Sequence, residues 1–568
     1  MRNIKTIALE ITILIFILLL GSFLYLYKID RIPSGIYADE AVTGYNAYSI
    51  LKTGKDEYGK TFPVAMKFLG SYTPPLYTYI TVPIMAALDI NIVSTRLLSA
   101  ISGILGIVVV FLLLKTLKST ESSCAPLTGC LLFAIAPWTV FFSRVGYEMN
   151  LAFLIFSLSA LLIWLGIKKP VFLTLGLSSL SLATYADYTQ WLLAPLFLVG
   201  LTIFFKREIF VRKNVGYLLT GAALGFLIQI PHLIILTTPA FLIKTNQFYT
   251  ATIIAQAERT SNLLPMFIAI PLAFLGEFLS KFFTFFSPRS LFFLPDPDPQ
   301  RSLPELSVFY QWMIIPYLVG LYFLFKERAK PAFKFLLLLA IITPIPAALT
   351  RDPFHVQRAL PLLLPLILII TIGVDKLIYK RHALIWLPVF LLLIISSLLL
   401  LWRSYFLFLP QERARVWAYG FSELAEQIRE HPNEKFVIDQ RDKMKPENLA
   451  YIQLAFFLKY PPEKLQEVVS PTIKENYYMN TSFIYQYHFG NIETRAIYWK
   501  EDECEEQILA GDEISISKEQ IEEHFLTKIF EIRDPIDQII FRGFRTNPKE
   551  KFKKIINTDW YCNLKNKK

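Results

Sequence analysis

The sequence predicts a polytopic α-helical membrane protein with a small extracytoplasmic α/β domain at its C-terminal end. Three observations predict this. The 568 residues are 54% hydrophobic and only 18% charged, with a mean hydropathy of +0.44, whereas soluble domains are nearer to a quarter charged. The apolar residues are gathered into runs long enough to cross a bilayer. From Pro410 onward the composition turns soluble.

The runs fall at 7–27, 94–114, 124–142, 148–167, 170–187, 191–205, 215–236, 309–325, 332–349, 359–379 and 383–402, which gives about eleven transmembrane helices. Arg2 and Lys5 precede the first run as in a signal peptide. That run is nevertheless long enough to span, and no small-residue cleavage site precedes Lys28, so it reads as an uncleaved first span. The clusters Arg2/Lys5, Lys115/Lys118, Lys168/Lys169, Lys206/Arg207/Arg212/Lys213, Lys326/Arg328/Lys330 and Lys376/Lys380/Arg381 all fall on one face. By the positive-inside rule that face is cytoplasmic, with the N-terminus inside and the C-terminus outside. These clusters hold much of the positive excess behind the net charge of +11, and no reader motif turns that charge into a nucleic-acid signal. The stretch 263–286 is apolar enough to span but carries Glu277 and Lys281, and counting it would move two basic clusters outside. It is expected to be a re-entrant or interfacial helix within a long external loop.

Three regions therefore face the exterior: loops 28–93 and 237–308, and the tail. In the first loop, the apolar stretch 77–88 is too short to span and is expected to lie along the surface. In the second, Pro295-Asp296-Pro297-Asp298-Pro299 reads as a rigid turn rather than a metal motif. The chain divides into a membrane domain, 1–404, and a soluble domain, 405–568. Within the tail, 412–430 and 447–458 read as helices and 436–439, 495–499 and 538–541 as strands, an α/β alternation. Cys504 and Cys562 can pair if the tail is extracytoplasmic, although their spacing does not demand it. Six histidines without zinc-ligand spacing give no metal site, and no glycine-rich phosphate loop is present.

The candidate chemistry begins at Asp39-Glu40, just after the first span. Charge is costly at a bilayer edge, so two adjacent acids there need a reason. They read either as acids complementing a helix dipole or as a catalytic base. Other polar groups at the same face favour the base: Arg144 and Glu148 after the third run, His355 and Arg358 before the tenth. Asp187, Arg351 and Asp352 read instead as interfacial residues. A carboxylate beside cations suits group transfer from a lipid phosphate. Arginine or histidine holds the phosphate leaving group, while the carboxylate takes the proton of an incoming hydroxyl.

Several motifs then carry a family resemblance: Gly35-Ile36-Tyr37-Ala38-Asp39-Glu40-Ala41, Pro74-Pro75-Leu76-Tyr77, Ser94-Thr95-Arg96-Leu97-Leu98-Ser99, Pro137-Trp138 with Ser143-Arg144-Val145-Gly146-Tyr147-Glu148, and Ser287 to Phe293. With them the chain resembles bacterial members of glycosyltransferase family 39, which includes protein O-mannosyltransferases and lipid A aminoarabinose transferases. The resemblance covers about 1–405 and is clearest in the first 150 residues. The tail from Tyr405-Phe406 through Trp417-Ala418-Tyr419-Gly420 is also similar to tails of bacterial members.

The resemblance implies the GT-C fold, an extracytoplasmic active site and a polyprenyl-phosphate-sugar donor. It places Asp39 at the catalytic-acid position with Glu40 beside it, and Arg144 on the donor phosphate. His355 and Arg358 fall at a basic pre-span position, departing from the commoner Arg-Tyr pattern. Tyr37, Tyr147 and Glu148 complete the expected substrate-binding set. The implied activity is inverting transfer of a mannose-like hexose or similar sugar to a hydroxyl of a protein, lipid or glycan, with the lipid-linked sugar as co-substrate and no cofactor. Membrane lipids are the remaining expected partners and the plasma membrane the expected location. The alternative is a transporter or lipid flippase, which calls for charges near the midplane and related halves; here the charges gather at one face and no internal repeat is found. A membrane-anchored binding module working through its tail is a third reading.

Overall fold

The structure, a computed structural model, describes the chain except residues 1–3, 121, 123, 243–247, 261, 379–382, 441–448, 470, 483–485, 555–561 and 563–568. Arg2, Lys380, Arg381 and Glu447, used above, lie outside the described residues.

The chain is a mostly helical, multi-pass membrane protein. It opens with α1 (Ile4–Leu26), α2 (Ala38–Thr53), the hairpin β1 (Met66–Phe68) and β2 (Ser71–Thr73), and α3 (Leu76–Leu88). Next come α4 (Ile92–Leu117), α5 (Ala125–Ile135), α6 (Pro137–Arg144) and α7 (Glu148–Gly166). At the start of α4, Asn91 Oδ1 accepts from the Ser94 amide at 2.9 Å, while the Asn91 amide donates to Ser94 Oγ at 3.1 Å. This reciprocal cap satisfies amides that have no partner inside the helix and fixes where the helix begins, just ahead of Arg96. The run predicted as one span at 124–142 is instead α5 and α6, meeting at 56°. Pro137, at the break, has no amide hydrogen to continue the ladder.

Among the described residues, eight helices are long and apolar enough to cross a membrane, or nine if the bent pair is one span. Runs 170–187 and 309–325 form the shorter helices Val171–Ala183 and Gln311–Lys326. Residues 263–286, expected to be re-entrant or interfacial because of their charges, contain one continuous helix, Met266–Thr284, which meets the length and composition of a span. Its charges are internally matched. Lys281 Nζ lies 3.2 Å from Glu277 and donates to the carbonyls of Thr350 and Arg351, each at 2.8 Å. An i,i+4 pair completed by backbone acceptors removes much of the cost of placing such residues near lipid.

The tail is the expected small α/β domain. Its six-stranded sheet comprises β3 (Phe436–Asp439), β4 (Tyr487–Phe489), β5 (Ile492–Arg495), β6 (Ile508–Gly511), β7 (Thr527–Arg533) and β8 (Ile539–Arg545), in the order β4-β5-β3-β6-β8-β7. The buried β3 is parallel to both neighbours, and the outer pairs are antiparallel. Two boundaries differ from the sequence reading. The helix expected over 412–430 forms only as Phe421–Glu430, because Gly420 enters it at φ +96° and residues 413–420 turn back on themselves. The strand expected at 495–499 ends at Arg495, whose guanidinium instead grips Asp502 at 2.9 and 2.7 Å. Cys504 and Cys562 are disulfide-bonded.

Helix α2 does not stand free in its loop. Ile36, Ala41, Tyr45 and Tyr48 share one hydrophobic core with Phe421, Leu424, Phe436, Ile438, Leu454 and Phe456 of the tail. A side chain at Gly44 would start 2.7 Å from the Phe456 ring, so a residue without a Cβ lets the two elements close. Gln453 Nε2 donates to the Ile36 carbonyl at 2.7 Å, Gln466 Nε2 to that of Asp56 at 2.9 Å, and Tyr45 Oη to that of Tyr460 at 2.9 Å. The segment between α1 and α4 and the tail thus share one folded core.

Candidate active site

The acid pair at the start of α2 splits into two environments. Glu40 is completely buried against Arg96 of α4, with Nε–Oε1 at 2.8 Å and Nη2–Oε2 at 2.9 Å. Its carboxylate also accepts from the Tyr37 amide at 3.1 Å and the Gly146 amide at 2.6 Å. Arg96 spends its remaining hydrogens on the carbonyls of Ile29, Pro33 and Gly35, at 3.0, 3.2 and 2.5 Å. All five guanidinium N–H groups are used. Glu40, expected among the catalytic residues, is therefore a structural anchor for the loop. A carboxylate with both oxygens engaged in a fully desolvated pair does not collect a proton from substrate.

Arg144 departs from expectation in the same way. At the end of α6 it is buried, donating to the carbonyls of Leu24 and Tyr27 at 2.6 Å each and of Ile32 at 3.1 Å. Its guanidinium lies 5.0 Å from the Tyr405 ring centroid and 4.9 Å from that of Phe406. The last carbonyls of a helix have no partner within it. Arg144 satisfies those at the end of α1, while its Nε has no hydrogen-bond partner among the described residues.

Asp39, one residue from Glu40, is half-buried. It lies within electrostatic reach of the Tyr147 hydroxyl and of the Glu148 carboxyl. Glu148, at the first turn of α7, accepts from Thr73 Oγ1 of β2 at 3.2 Å and is also within reach of Asp187. Asp187 in turn acts on Arg358. The structure thus joins Asp39, Tyr147, Glu148, Asp187 and Arg358 into one electrostatic neighbourhood, built from α2, α7 and two inter-helix turns. Tyr37 contributes the aromatic wall: its ring meets Tyr147 edge-on at 6.4 Å and Trp417 at 6.1 Å, and Trp417 stacks on Tyr147 at 6.4 Å and 22°.

The Pro-Asp-Pro-Asp-Pro segment forms the turn expected of it and also supports this neighbourhood. Buried Asp296 accepts from the amides of Asp298 at 3.0 Å and Val356 at 3.1 Å, and pairs with Arg301 at 3.3 Å. Arg301 reaches Asp352 at 3.0 Å. His355 lies inside this knot. Burial, reinforced by the positive charges of Arg358 and Arg301, pushes its pKa well below the ordinary histidine range. Its 3.7 Å approach to Asp352 is therefore not an ion pair at neutral pH. His355 Nδ1 accepts from the Arg358 amide at 3.4 Å. The neutral imidazole does not supply the positive charge expected of it. Burial also lowers the Arg358 pKa, with Asp352 opposing the shift, but a guanidinium so displaced remains charged.

Sequence reasoning missed Arg96, Asp187, Gln300, Arg301 and Trp417. Arg96 stood in a quoted motif without a role, and Asp187 had been read as interfacial. Gln300, whose amide donates to Tyr147 Oη at 2.9 Å, carried no signal. Among the described residues, no group of three or more His, Cys, Asp or Glu side chains is arranged to hold a metal ion.

The chain has the GT-C fold. It aligns with the crystal structure of ArnT from Cupriavidus metallidurans bound to undecaprenyl phosphate over 94% of its own length and 98% of that chain, with TM-score 0.54 and 13% identity. The apo state of the same protein aligns over 95% and 98%, with TM-score 0.53 and 12% identity. At such identity the likeness establishes the fold. Neither a protein-family model nor a curated protein sequence matches the chain.

Proposed function

We propose that this chain is a membrane glycosyltransferase that moves a sugar, a mannose-like hexose or similar, from a polyprenyl phosphate to an acceptor hydroxyl on the extracytoplasmic face, with inversion. The observation that carries the reading is the division of labour between the two adjacent acids. Glu40 anchors the loop, while Asp39 remains half-buried within reach of Tyr147 and Glu148. The GT-C fold and a structural neighbour bound to undecaprenyl phosphate support a polyprenyl donor.

In this reaction the acceptor O–H proton passes to an Asp39 carboxylate oxygen as the acceptor oxygen bonds to the anomeric carbon. The bond from that carbon to the phosphate oxygen breaks and its electron pair stays on the phosphate. Polyprenyl phosphate leaves with one more negative charge, held by Arg358, which takes the role first assigned to Arg144. Neutral His355 and the Asp296–Arg301 knot hold the Arg358 segment. Glu148 orients the acceptor, Tyr37 and Tyr147 bound the pocket, and the lipid-linked sugar is the only co-substrate. The disulfide in the tail fits an oxidising, extracytoplasmic compartment, so the N-terminus is assigned to the cytoplasm and the active site to the outer face of the plasma membrane.

The test is Asp39→Asn in purified protein given polyprenyl-phosphate sugars. Loss of a positioned base lowers turnover by about a hundredfold or more. Unchanged turnover would remove Asp39 from the mechanism.

A further inference from the structure

We infer that the tail segment 410–420 acts on the active site as a hook, with Arg413 and Trp417 as positioning residues for Tyr147. The inference rests on the site reading given above. The hook enters between two external loops that are far apart in sequence. On one side Ser34 Oγ donates to the Pro410 carbonyl at 2.7 Å, and a Cβ on Gly35 would lie 2.1 Å from the Trp417 carbonyl. Only a glycine allows that approach. On the other side Arg413 Nη1 donates to the carbonyls of Pro299 at 2.6 Å and Ser302 at 3.1 Å, and to Ser302 Oγ at 3.1 Å. Between these contacts stands Gln300, whose amide donates to Tyr147 Oη. Arg413 thus fixes the backbone that aims Gln300.

Trp417 holds the same tyrosine from its face. It is wholly buried, stacked on Tyr147, edge-on to Tyr37 and Phe141, with the Arg96 guanidinium 6.0 Å from its ring. Its indole N–H has no hydrogen-bond partner among the described residues. The residue is therefore held for the faces of its ring rather than for its polar handle. Arg415, two residues earlier, donates to the Ile539 carbonyl of β8 at 3.1 Å, which pins the hook to the sheet. The geometric outcome is specific. Because Tyr147 Oη accepts from Gln300, its own proton stays available to donate toward the neighbourhood of Asp39.

The test uses the full chain in detergent, with hydrogen exchange at 299–302, apparent Tm, and binding of undecaprenyl phosphate. Arg413→Ala should raise exchange at 299–302 and weaken undecaprenyl phosphate binding by about tenfold, with Tm little changed. Arg413→Lys should restore only part of this, since one ammonium does not span the acceptors that the guanidinium fork reaches. Trp417→Phe keeps an aromatic face and should change binding by about twofold or less, whereas Trp417→Ala should match Arg413→Ala in its loss of binding and, as the truncation of a buried ring, lower the Tm as well. Unchanged exchange at 299–302 in Arg413→Ala would overturn the hook. So would equal binding losses in Trp417→Phe and Trp417→Ala, or losses that merely follow Tm. If the wild-type chain does not bind undecaprenyl phosphate while Arg413→Ala still frees 299–302, the hook stands and the donor reading falls.

Discussion

Asp39 and Glu40 are adjacent in sequence but differently surrounded, and their variants should separate cleanly. Glu40→Gln breaks a fully buried pair and strands the Arg96 charge, a change worth about 3 kcal/mol or more of stability. Asp39→Asn should leave the apparent Tm near that of wild type and strike turnover alone. Thermal unfolding followed by a transfer assay on both proteins checks this contrast. The sequence shows the acid pair just after the first span but not which acid is locked, because the deciding partner, Arg96, lies in another helix. Arg144 was equally opaque. An arginine at the end of a span serves a phosphate or a set of carbonyls equally well, and only the position of the α1 terminus decides. A second buried acid pair makes a pH prediction. Among the described residues, the Glu57 carboxylate, under the tail, accepts only from Asn46 and Tyr451, each at 3.3 Å. Burial, with the nearby Asp56 charge, pushes its pKa up from 4.5 to about 8. Its folded pKa lies above the unfolded one, so its contribution to stability is fully present below about pH 4.5 and is lost as pH rises toward 8. Glu57→Gln should flatten the fall in apparent Tm over that window, and a fall as steep as wild type would count against it.

At the scale of elements, α2 is the informative case. A helix beside Asp39-Glu40 was legible from the dipole argument, and the structure has it at Ala38–Thr53. Its buried face was not legible, because the residues that cover it lie some four hundred positions later and a loop helix shows no sign of so distant a partner. The tail's helix–strand alternation was readable from periodicity, but its edges were not, since Gly420 and the Arg495–Asp502 clasp override local propensity. Deleting 410–568 therefore does more than remove a separate domain. It strips the cover from Ile36, Ala41 and Tyr45. The truncated chain should lose undecaprenyl phosphate binding and become protease-sensitive within 28–93, while the membrane helices stay inserted. Limited proteolysis with mass mapping checks this; a truncated chain with a protected first loop would show that α2 folds without the tail.

For the whole molecule, hydropathy made the membrane character plain. The span count was harder to read: a proline splits one run, and a self-neutralised Glu277–Lys281 pair hides a full-length apolar helix. Sidedness is open to direct measurement through the cysteines. Cys124 is exposed and free, at the start of the third run, on the side assigned to the cytoplasm, while Cys504 and Cys562 are joined. A membrane-impermeant maleimide on intact cells should leave Cys124 unlabelled until the membrane is permeabilised, and should reach Cys504 and Cys562 only after reduction. Labelling of Cys124 in intact cells would invert the proposed orientation.

The core shared by α2 and the tail sets an order of events during biosynthesis. The helix bearing Asp39 is synthesised long before the strands and helices that close over it. Until those have been made, its apolar face stays unsealed and needs shelter from aggregation or protease attack. A product terminated ahead of the tail would be inserted in the membrane yet lack the cover of this helix, so closure of the tail acts as a check on the segment that precedes it.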